Sequence, residues 1–530
     1  MTSSGTTTDP KAPSRSPLRR GAAVVGVILA LSMGVGAIVG TSQGLTIGPR
    51  DTPSYLSSAE NLAAGLGYRT PYGDPGKPID FEETTSPVVD FPPGYPAVLS
   101  LGVRMGADSR STARVISALL VAAITLSLNV ASRALPLFRS GVAGAALVAL
   151  IAGALTLPFT TSALSEPLYG LLLILTLAAA TSYARDKQLL PLVLATLLAA
   201  SATTVRTSGL ALVATVMIVA WLSIRGVKRW FVPLAVGLVG VGPFYLSTAL
   251  GNRVLAWHPP EIGSAKEFLN GVAEWFIPPI GSPTFMVVAF AALVVGLLAW
   301  VRPWRGRMAR VRDDSSFPPL WSVALIAAGA HLGLLFVTKF LFSAQLSLGT
   351  RQLYPVGISL LFAVVQFLGH RPETGGKRMT HGFVLLGLCS LLATGWVAAV
   401  TLDAVVSGMR GFNSDGFLKS ETVEYVVGSV PGDQVFGNAP DGLWVAGLAN
   451  TRPLPIVYDP LSLEDNAAMD EEMSRLTDSI GDGAVLFYQF DGRDYMVELS
   501  DLRAIAPCVV VADSTAIVLA GADHARCAGT

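Results

Sequence analysis

Two carboxylates stand at the ends of apolar segments, where they could act on a substrate at a membrane surface. Asp51 follows the first long apolar run, in GPRDTPSYL, and Glu166 lies in a tight turn between two later runs, in SALSEPLY. Dehydrating a carboxylate at a membrane boundary costs free energy, so its presence there points to function. A positioned carboxylate can accept the proton of a hydroxyl nucleophile. Helix capping is the alternative for both residues, because DTP and SEP are also typical helix starts.

Two arginines occupy the same kind of position and are candidates for binding an anion. Arg206 (VRTSGL) and Arg351 (TRQLYP) lie at the start of apolar runs, on the same predicted membrane face as Asp51. The planar fork of arginine suits a phosphate, although an arginine at this depth can also extend to lipid headgroups. The further candidates for substrate contact are Tyr55, Arg69, Lys77 and His258.

No set of metal ligands is predicted from the residue pattern. A single histidine does not make a metal site, and for His258 a hydrogen-bonded loop histidine is the simpler interpretation. The first loop is acidic, however, so a divalent cation is a possible cofactor there.

The composition is that of a polytopic membrane protein. The 530 residues are 51% hydrophobic and only 14% charged, whereas soluble domains carry about 25% charged residues. The formal net charge is zero, and no basic stripe with interleaved aromatic residues predicts binding to nucleic acid. P-loop, metalloprotease and nucleophile-elbow motifs are absent from the sequence. Three cysteines are too few for a disulfide framework, but Cys508 and Cys527 could pair if their region lies outside the cytoplasm.

Eleven apolar segments predict membrane spans within residues 22–402. They lie near 22–39, 112–132, 141–158, 167–184, 189–204, 208–224, 231–250, 284–301, 319–338, 353–369 and 382–402. Lys and Arg cluster in alternate connections, so the positive-inside rule places the N-terminus inside and the C-terminus outside. Residues 1–21 read as a disordered cytoplasmic tail. A cleaved signal peptide is not predicted, because the first segment is long enough to span and many more follow.

Two further regions complete the predicted organisation. The first outer loop, residues 44–96, ends in FPPGYPAVLSL, which favours a re-entrant or interfacial helix. From residue 403 to residue 530 the composition changes, and helix-like stretches alternate with short apolar runs. That alternation predicts a small α/β domain outside the cytoplasm. The predicted fold class is therefore a polytopic α-helical membrane protein of about eleven spans with a small C-terminal α/β extracytoplasmic domain.

The ordered motifs resemble those of the GT-C superfamily of integral-membrane glycosyltransferases, in the branch of the protein O-mannosyltransferases and the lipid A aminoarabinose transferases. The matching pieces are DTPSYLSSAENLAAGLGY, FPPGYPAVLSL, SALSEPLYGLLL, VRTSGLAL and TRQLYPVG, which with the spans cover most of residues 22–370. The chain departs from the pattern in one place. Several relatives have Asp-Glu where Asp51 is here followed by Thr52, so a second carboxylate must come from Glu166 or be missing.

The resemblance implies an enzyme that transfers a sugar from a polyprenyl-phosphate donor to an acceptor hydroxyl, with inversion of configuration. The implied setting is the outer face of a bacterial cytoplasmic membrane, in the synthesis of cell-envelope glycan or glycoprotein, with a glycan, a glycolipid or a protein as acceptor. Asp51 would be the catalytic base, Arg206 and Arg351 would stabilise the leaving phosphate, and a divalent cation could share that role.

Two other functions fit the sequence less well. A transporter or flippase for a lipid-linked envelope precursor suits eleven spans, but such proteins usually show internal repeats and charges at mid-membrane, which this sequence lacks. A non-catalytic scaffold whose outer domain binds a partner is the remaining alternative.

Overall fold

The computed structural model describes residues 17–41, 45–48, 51–88, 91–133, 159–250, 321–341, 350–369, 411–460, 464–490 and 493–527, together with Gly153 and Thr156. The predicted segments near 284–301 and 382–402, and nearly all of 141–158, lie outside these residues. The number of eleven spans therefore stays a prediction.

Up to residue 369 the described chain is mostly helical. Its helices are, in order, α1 (Pro17–Gly40), α2 (Asp51–Ala63), α3 (Gly94–Arg104), α4 (Ser109–Arg133), α5 (Glu166–Asp186), α6 (Leu189–Val205), α7 (Gly209–Ser223), α8 (Lys228–Leu250), α9 (Trp321–Leu341) and α10 (Thr350–Gly369). All of these except α2 and α3 coincide with predicted apolar segments. Four described stretches, Ser109–Leu128, Glu166–Asp186, Lys228–Leu246 and Ser322–Lys339, are long and apolar enough to cross a membrane.

The apolar helices share one core, and α5 lies within it. Helix α5 packs against α4, α6 and α10, while α7 packs against α6, α8 and α9. Leu173 and Leu177 of α5 are fully buried, at the spacing of one helical turn. Large apolar side chains on the outer helices are exposed instead, such as Leu119 of α4 and Leu238 of α8. Apolar surface of this kind is what a lipid bilayer covers.

The loop between α1 and α4 is folded rather than irregular. After α2 the chain forms a short antiparallel hairpin of β1 (Arg69–Thr70) and β2 (Ser86–Pro87). The buried ring of Tyr55 on α2 packs edge-on against Tyr95 of α3, with centroids 5.3 Å apart. At the other end of α2, the Ser109 hydroxyl donates to Glu60 Oε1 at 2.6 Å. Helix α2 is therefore held at both ends.

Residues 411–527 contain a mixed sheet with helices. In order, the elements are α11 (Asp415–Leu418), α12 (Glu421–Ser429), β3 (Val435–Gly437), α13 (Pro440–Val445), β4 (Arg452–Pro453), α14 (Met469–Gly481), β5 (Val485–Gln489), α15 (Leu499–Ile505), β6 (Cys508–Ala512) and β7 (Ala516–Ala520). The strand order is β4-β3-β5-β7-β6, in which β3 is parallel to both neighbours and β7 antiparallel to both of its own. A disulfide joins Cys508 of β6 to Cys527, with Cα atoms 6.1 Å apart.

This sheet region contacts the first loop through backbone hydrogen bonds. The Phe412 amide donates to the Ile47 carbonyl at 2.7 Å, just before α2. The Asn450 amide donates to the Pro71 carbonyl at 2.7 Å, beyond α2. Both ends of the segment that carries Asp51 are thus tied to residues 411–527.

Candidate active site

Four charged residues that are far apart in sequence meet in one cluster, which we call the charge cluster. Asp51 is the first residue of α2, and Glu166 is the first residue of α5. Arg206 directly follows α6, and Arg351 is the second residue of α10. Each side chain therefore comes from the end of a different helix. The sequence predicts all four as site residues, and the structure brings them together.

Arg351 is the centre of the charge cluster because it contacts both carboxylates. Its Nη1 forms an ion pair with Asp51 Oδ2, and its Nε donates to Glu166 Oε1 at 2.6 Å. Arg206 approaches the same oxygen of Glu166 from another side, with its Nη1 at 2.5 Å. Glu166 thus supplies the second carboxylate that Thr52 cannot provide.

Exposure differs sharply across the charge cluster. The side chain of Glu166 is 1% exposed and that of Arg206 is 19% exposed, whereas Arg351 and Asp51 are 33% and 20% exposed. The second oxygen of Glu166, Oε2, is buried and has no hydrogen-bond partner among the described residues. The Asp51–Arg351 pair is therefore the part of the cluster that a ligand reaches most easily.

The turn before α5 positions Glu166 and ties it to α2. The Thr52 hydroxyl donates to the Ser162 carbonyl at 2.6 Å. Ala163 follows in a left-handed conformation, with φ of 49°, which costs a non-glycine residue free energy. Strained backbone of this kind persists where the surrounding structure enforces it, often at functional sites. The left-handed conformation of Ala163 could not be predicted from the spacing of these residues in the sequence.

Ser165 does not cap α5, contrary to the simple helix-start interpretation. It is the N-cap residue, but its side chain accepts no capping hydrogen bond. Its hydroxyl lies 3.3 Å from the Tyr55 hydroxyl and 3.4 Å from Arg206 Nη1. Burial, reinforced by the charge of Asp51, raises the pKa of the Tyr55 phenol, so this hydroxyl stays protonated. Tyr55 is 3% exposed and links α2 to the turn before α5.

A buried tyrosine and histidine, which the sequence analysis missed, support the connection that carries Arg206. The Tyr169 hydroxyl lies 3.0 Å from the Ser208 carbonyl and 2.6 Å from His331 Nε2. His331 Nδ1 in turn lies 2.7 Å from the Ala327 carbonyl, one turn back on α9. Tyr169 follows Glu166 by three residues, so one face of α5 contributes both to the cluster and to its support.

The other predicted contacts lie apart from the charge cluster or outside the described residues. Arg69 pairs with Glu83 and also donates to the Thr85 carbonyl at 3.1 Å, all within the first loop. Lys77 is half-buried in a turn of that loop, where its amide donates to the Asp74 carbonyl. His258 lies outside the described residues. Substrate contact by these three residues stays a prediction.

The donor set of the charge cluster does not suit a metal ion. Both carboxylates are engaged by guanidinium groups, and the described residues contain no group of three His, Cys, Asp or Glu side chains placed to hold a metal. Two carboxylates and two arginines leave the cluster formally neutral. Such a cluster can take up a proton and stabilise an added negative charge at the same time.

Comparison with known proteins gives the fold. No family model and no curated protein sequence matches the chain. Among solved structures, the chain is similar to ArnT from Cupriavidus metallidurans bound to undecaprenyl phosphate, at a TM-score of 0.55 and 14% identity, over 94% of this chain and 97% of that one. The apo state of the same protein matches at a TM-score of 0.51 and 14% identity, over 94% and 98%. The chain therefore shares the fold of this ArnT, and the predicted resemblance to the lipid A aminoarabinose transferases is confirmed at the level of the fold.

Proposed function

We propose that this protein is an inverting glycosyltransferase that moves a sugar from a polyprenyl-phosphate donor to an acceptor hydroxyl at the membrane surface. The observation that carries the proposal is the convergence of Asp51, Glu166, Arg206 and Arg351 in one partly exposed cluster. The ArnT fold supports it, since ArnT was solved with undecaprenyl phosphate bound.

Asp51 is the proposed base because it is a carboxylate that solvent reaches at the edge of the cluster. It takes the proton of the acceptor hydroxyl, whose oxygen then bonds to the anomeric carbon of the sugar. The bond from that carbon to the phosphate oxygen breaks, and polyprenyl phosphate leaves with the electron pair. Attack opposite the leaving group inverts the configuration. Holding both reactants at one membrane surface supplies the proximity that the reaction needs.

The two arginines are the proposed stabilisers of the leaving group. A donor phosphodiester carries a single negative charge, and the phosphate released carries about −1.5 to −2 at pH 7. When Asp51 is protonated, the formerly neutral cluster gains one positive charge. That gain coincides with the charge that develops on the phosphate, so proton transfer and leaving-group departure stabilise each other.

We place the cluster on the outer face of a bacterial cytoplasmic membrane, with the N-terminus inside and residues 403–530 outside. The clustering of Lys and Arg in alternate connections supports this orientation. The Cys508–Cys527 disulfide supports it too, because such bonds persist in oxidising compartments. Thiol labelling in intact cells should find both cysteines blocked until a reductant is added.

The proposal is tested with the full chain purified in detergent. Mass spectrometry of copurified lipid should find a polyprenyl phosphate or its sugar conjugate. Membranes that contain the protein should convert a labelled polyprenyl-phosphate sugar to polyprenyl phosphate, and Asp51→Asn should stop the conversion. Glu82→Gln, an exposed carboxylate in the same loop, is the matched control and should convert normally. Donor that crosses a vesicle bilayer unchanged, with no product, would identify a flippase instead.

A further inference from the structure

We propose that Arg351 exchanges the carboxylate of Asp51 for the phosphate of the donor, so that donor binding releases the base. This inference rests on the proposed function and adds an order of events to it. The donor lipid binds first, and only then can Asp51 accept a proton from the acceptor.

Arg351 forms ion pairs with two carboxylates at once. Its guanidinium presents Nη1 to Asp51 and Nε to Glu166. Within the described residues, the only ion pair of Asp51 is the one with Arg351. A carboxylate oxygen that faces a guanidinium is engaged by that cation and is not free to meet the hydroxyl of an acceptor. In this structure the proposed base is therefore held in an unreactive pairing.

The charge cluster has an inner half, the Glu166–Arg206 pair, and an outer half, the Asp51–Arg351 pair. The inner half can stay intact when the outer pair separates. Glu166 retains Arg206 at 2.5 Å, and it also retains Nε of Arg351 if only Nη1 changes partner. Its side chain is 1% exposed, so a ligand does not compete for it directly. The cost of leaving a buried carboxylate without a cation is thereby avoided. Only the Asp51 contact has to be given up.

The outer half is also the part of the charge cluster that the donor phosphate can contact. Arg351 and Asp51 are 33% and 20% exposed, and the two non-bridging oxygens of a phosphodiester, which share one negative charge, can accept hydrogen bonds from the guanidinium. Once Nη1 of Arg351 donates to a phosphate oxygen, Asp51 has lost its counter-ion and lies beside the bound donor. The same contact that binds the donor thus makes the base reactive, and an acceptor that arrives early meets a paired carboxylate.

Equilibrium binding of undecaprenyl phosphate to the purified full chain tests the exchange without any transfer. Asp51→Asn removes the competing carboxylate and should tighten binding by roughly tenfold, the order expected for one charge-assisted contact. Glu60→Gln, on the same helix but paired with Ser109, controls for the simple loss of a negative charge. It should change the affinity by less than about twofold. Equal or weaker binding by Asp51→Asn would overturn the exchange.

A double-mutant cycle separates exchange from general electrostatics. In an Arg351→Gln background, Asp51→Asn should no longer increase the affinity for undecaprenyl phosphate. The carboxylate and the phosphate then have no guanidinium at position 351 for which to compete. If Arg351→Gln does not fold, Arg351→Lys keeps a positive charge for Glu166 and should give a reduced gain. An undiminished gain in either background would refute the exchange. If the wild type transfers sugar but the variants show none of these changes in affinity, the exchange is overturned and the proposed function stands. Wild-type protein that neither binds the lipid nor transfers sugar would overturn the proposed function.

Discussion

Gly170 of α5 lies directly against Tyr354 of α10, so close that a Cβ atom at Gly170 would clash with the tyrosine hydroxyl oxygen. Gly170 is one turn beyond Glu166, and Tyr354 is one turn beyond Arg351. The absence of a side chain at Gly170 therefore lets the two helices approach where Glu166 and Arg351, in their first turns, form an ion pair.

Gly170→Ala should separate α5 from α10 and weaken the Glu166–Arg351 contact. A displacement of about 1 Å at the site can cost roughly 100-fold in rate, so we expect sugar transfer to fall by 10–100-fold, within that bound. Transfer of label from a polyprenyl-phosphate sugar measures it. Gly329→Ala on α9, where a Cβ meets nothing within 4 Å, is the matched control and should be silent. Normal activity in Gly170→Ala would show that the close approach does not position the cluster.

Glu166→Gln should destabilise the protein as well as lower its activity. The substitution leaves Arg206 without its counter-ion in a setting where the carboxylate is 1% exposed. Removing one partner of a buried ion pair costs about 3–5 kcal/mol. Thermal unfolding in detergent measures the effect. Asp186→Asn removes the partner of Arg185 at an exposed ion pair, where solvent screens the attraction and little or no loss of stability is expected. Equal melting temperatures for the two variants would contradict a buried role for Glu166.

Ala163→Gly should stabilise the turn that carries Glu166. Ala163 is fully buried and has φ of 49°, a conformation that costs a residue with a Cβ about 1–2 kcal/mol and glycine almost nothing. The melting temperature should therefore rise. Ala199→Gly within α6 is the control and should lower it, because glycine in a helix interior costs about 0.5–1 kcal/mol. A drop in melting temperature for both variants would show that the Ala163 methyl group matters more than its backbone.

The sequence allowed the prediction of the apolar helices and of the four charged residues, because both signals are local. An apolar run such as 167–184 appears as α5, with one extra residue at its start and two at its end. Charges at the ends of such runs stand out for the same reason. The contacts between residues that are distant in sequence could not be predicted. Arg351 pairs with Asp51, 300 positions earlier, and neither residue type specifies its partner. The Gly170–Tyr354 approach and the Tyr169–His331 contact are likewise hidden, since hydropathy shows which faces are apolar but not which faces meet.

The sheet region contains a carboxylate, Asp513, that makes its stability depend on acid. Asp513 accepts hydrogen bonds from the Ser420 hydroxyl at 2.7 Å and from the amides of Thr515 and Ala516 at 2.7 and 3.1 Å. Although burial opposes ionisation, these hydrogen bonds lower the pKa of Asp513 to about 2, from an ordinary value of 3.8. A carboxyl whose pKa is depressed on folding stabilises the folded state above its unfolded pKa. That stabilisation is lost as the pH falls from about 4 to about 2.

Asp513→Asn should therefore lower the stability at pH 7 by about 1 kcal/mol and remove the part of the pH dependence that lies between pH 4 and pH 2. Melting curves of the full chain across that range measure both effects. Asp482→Asn, at an exposed carboxyl at the end of α14, should leave the stability at pH 7 close to that of the wild type. The sheet region also ties down both ends of the segment that contains α2. Heating at pH 7 that melts this region should thus stop sugar transfer, and activity that survives the melting of this region would show that α2 needs no support from it.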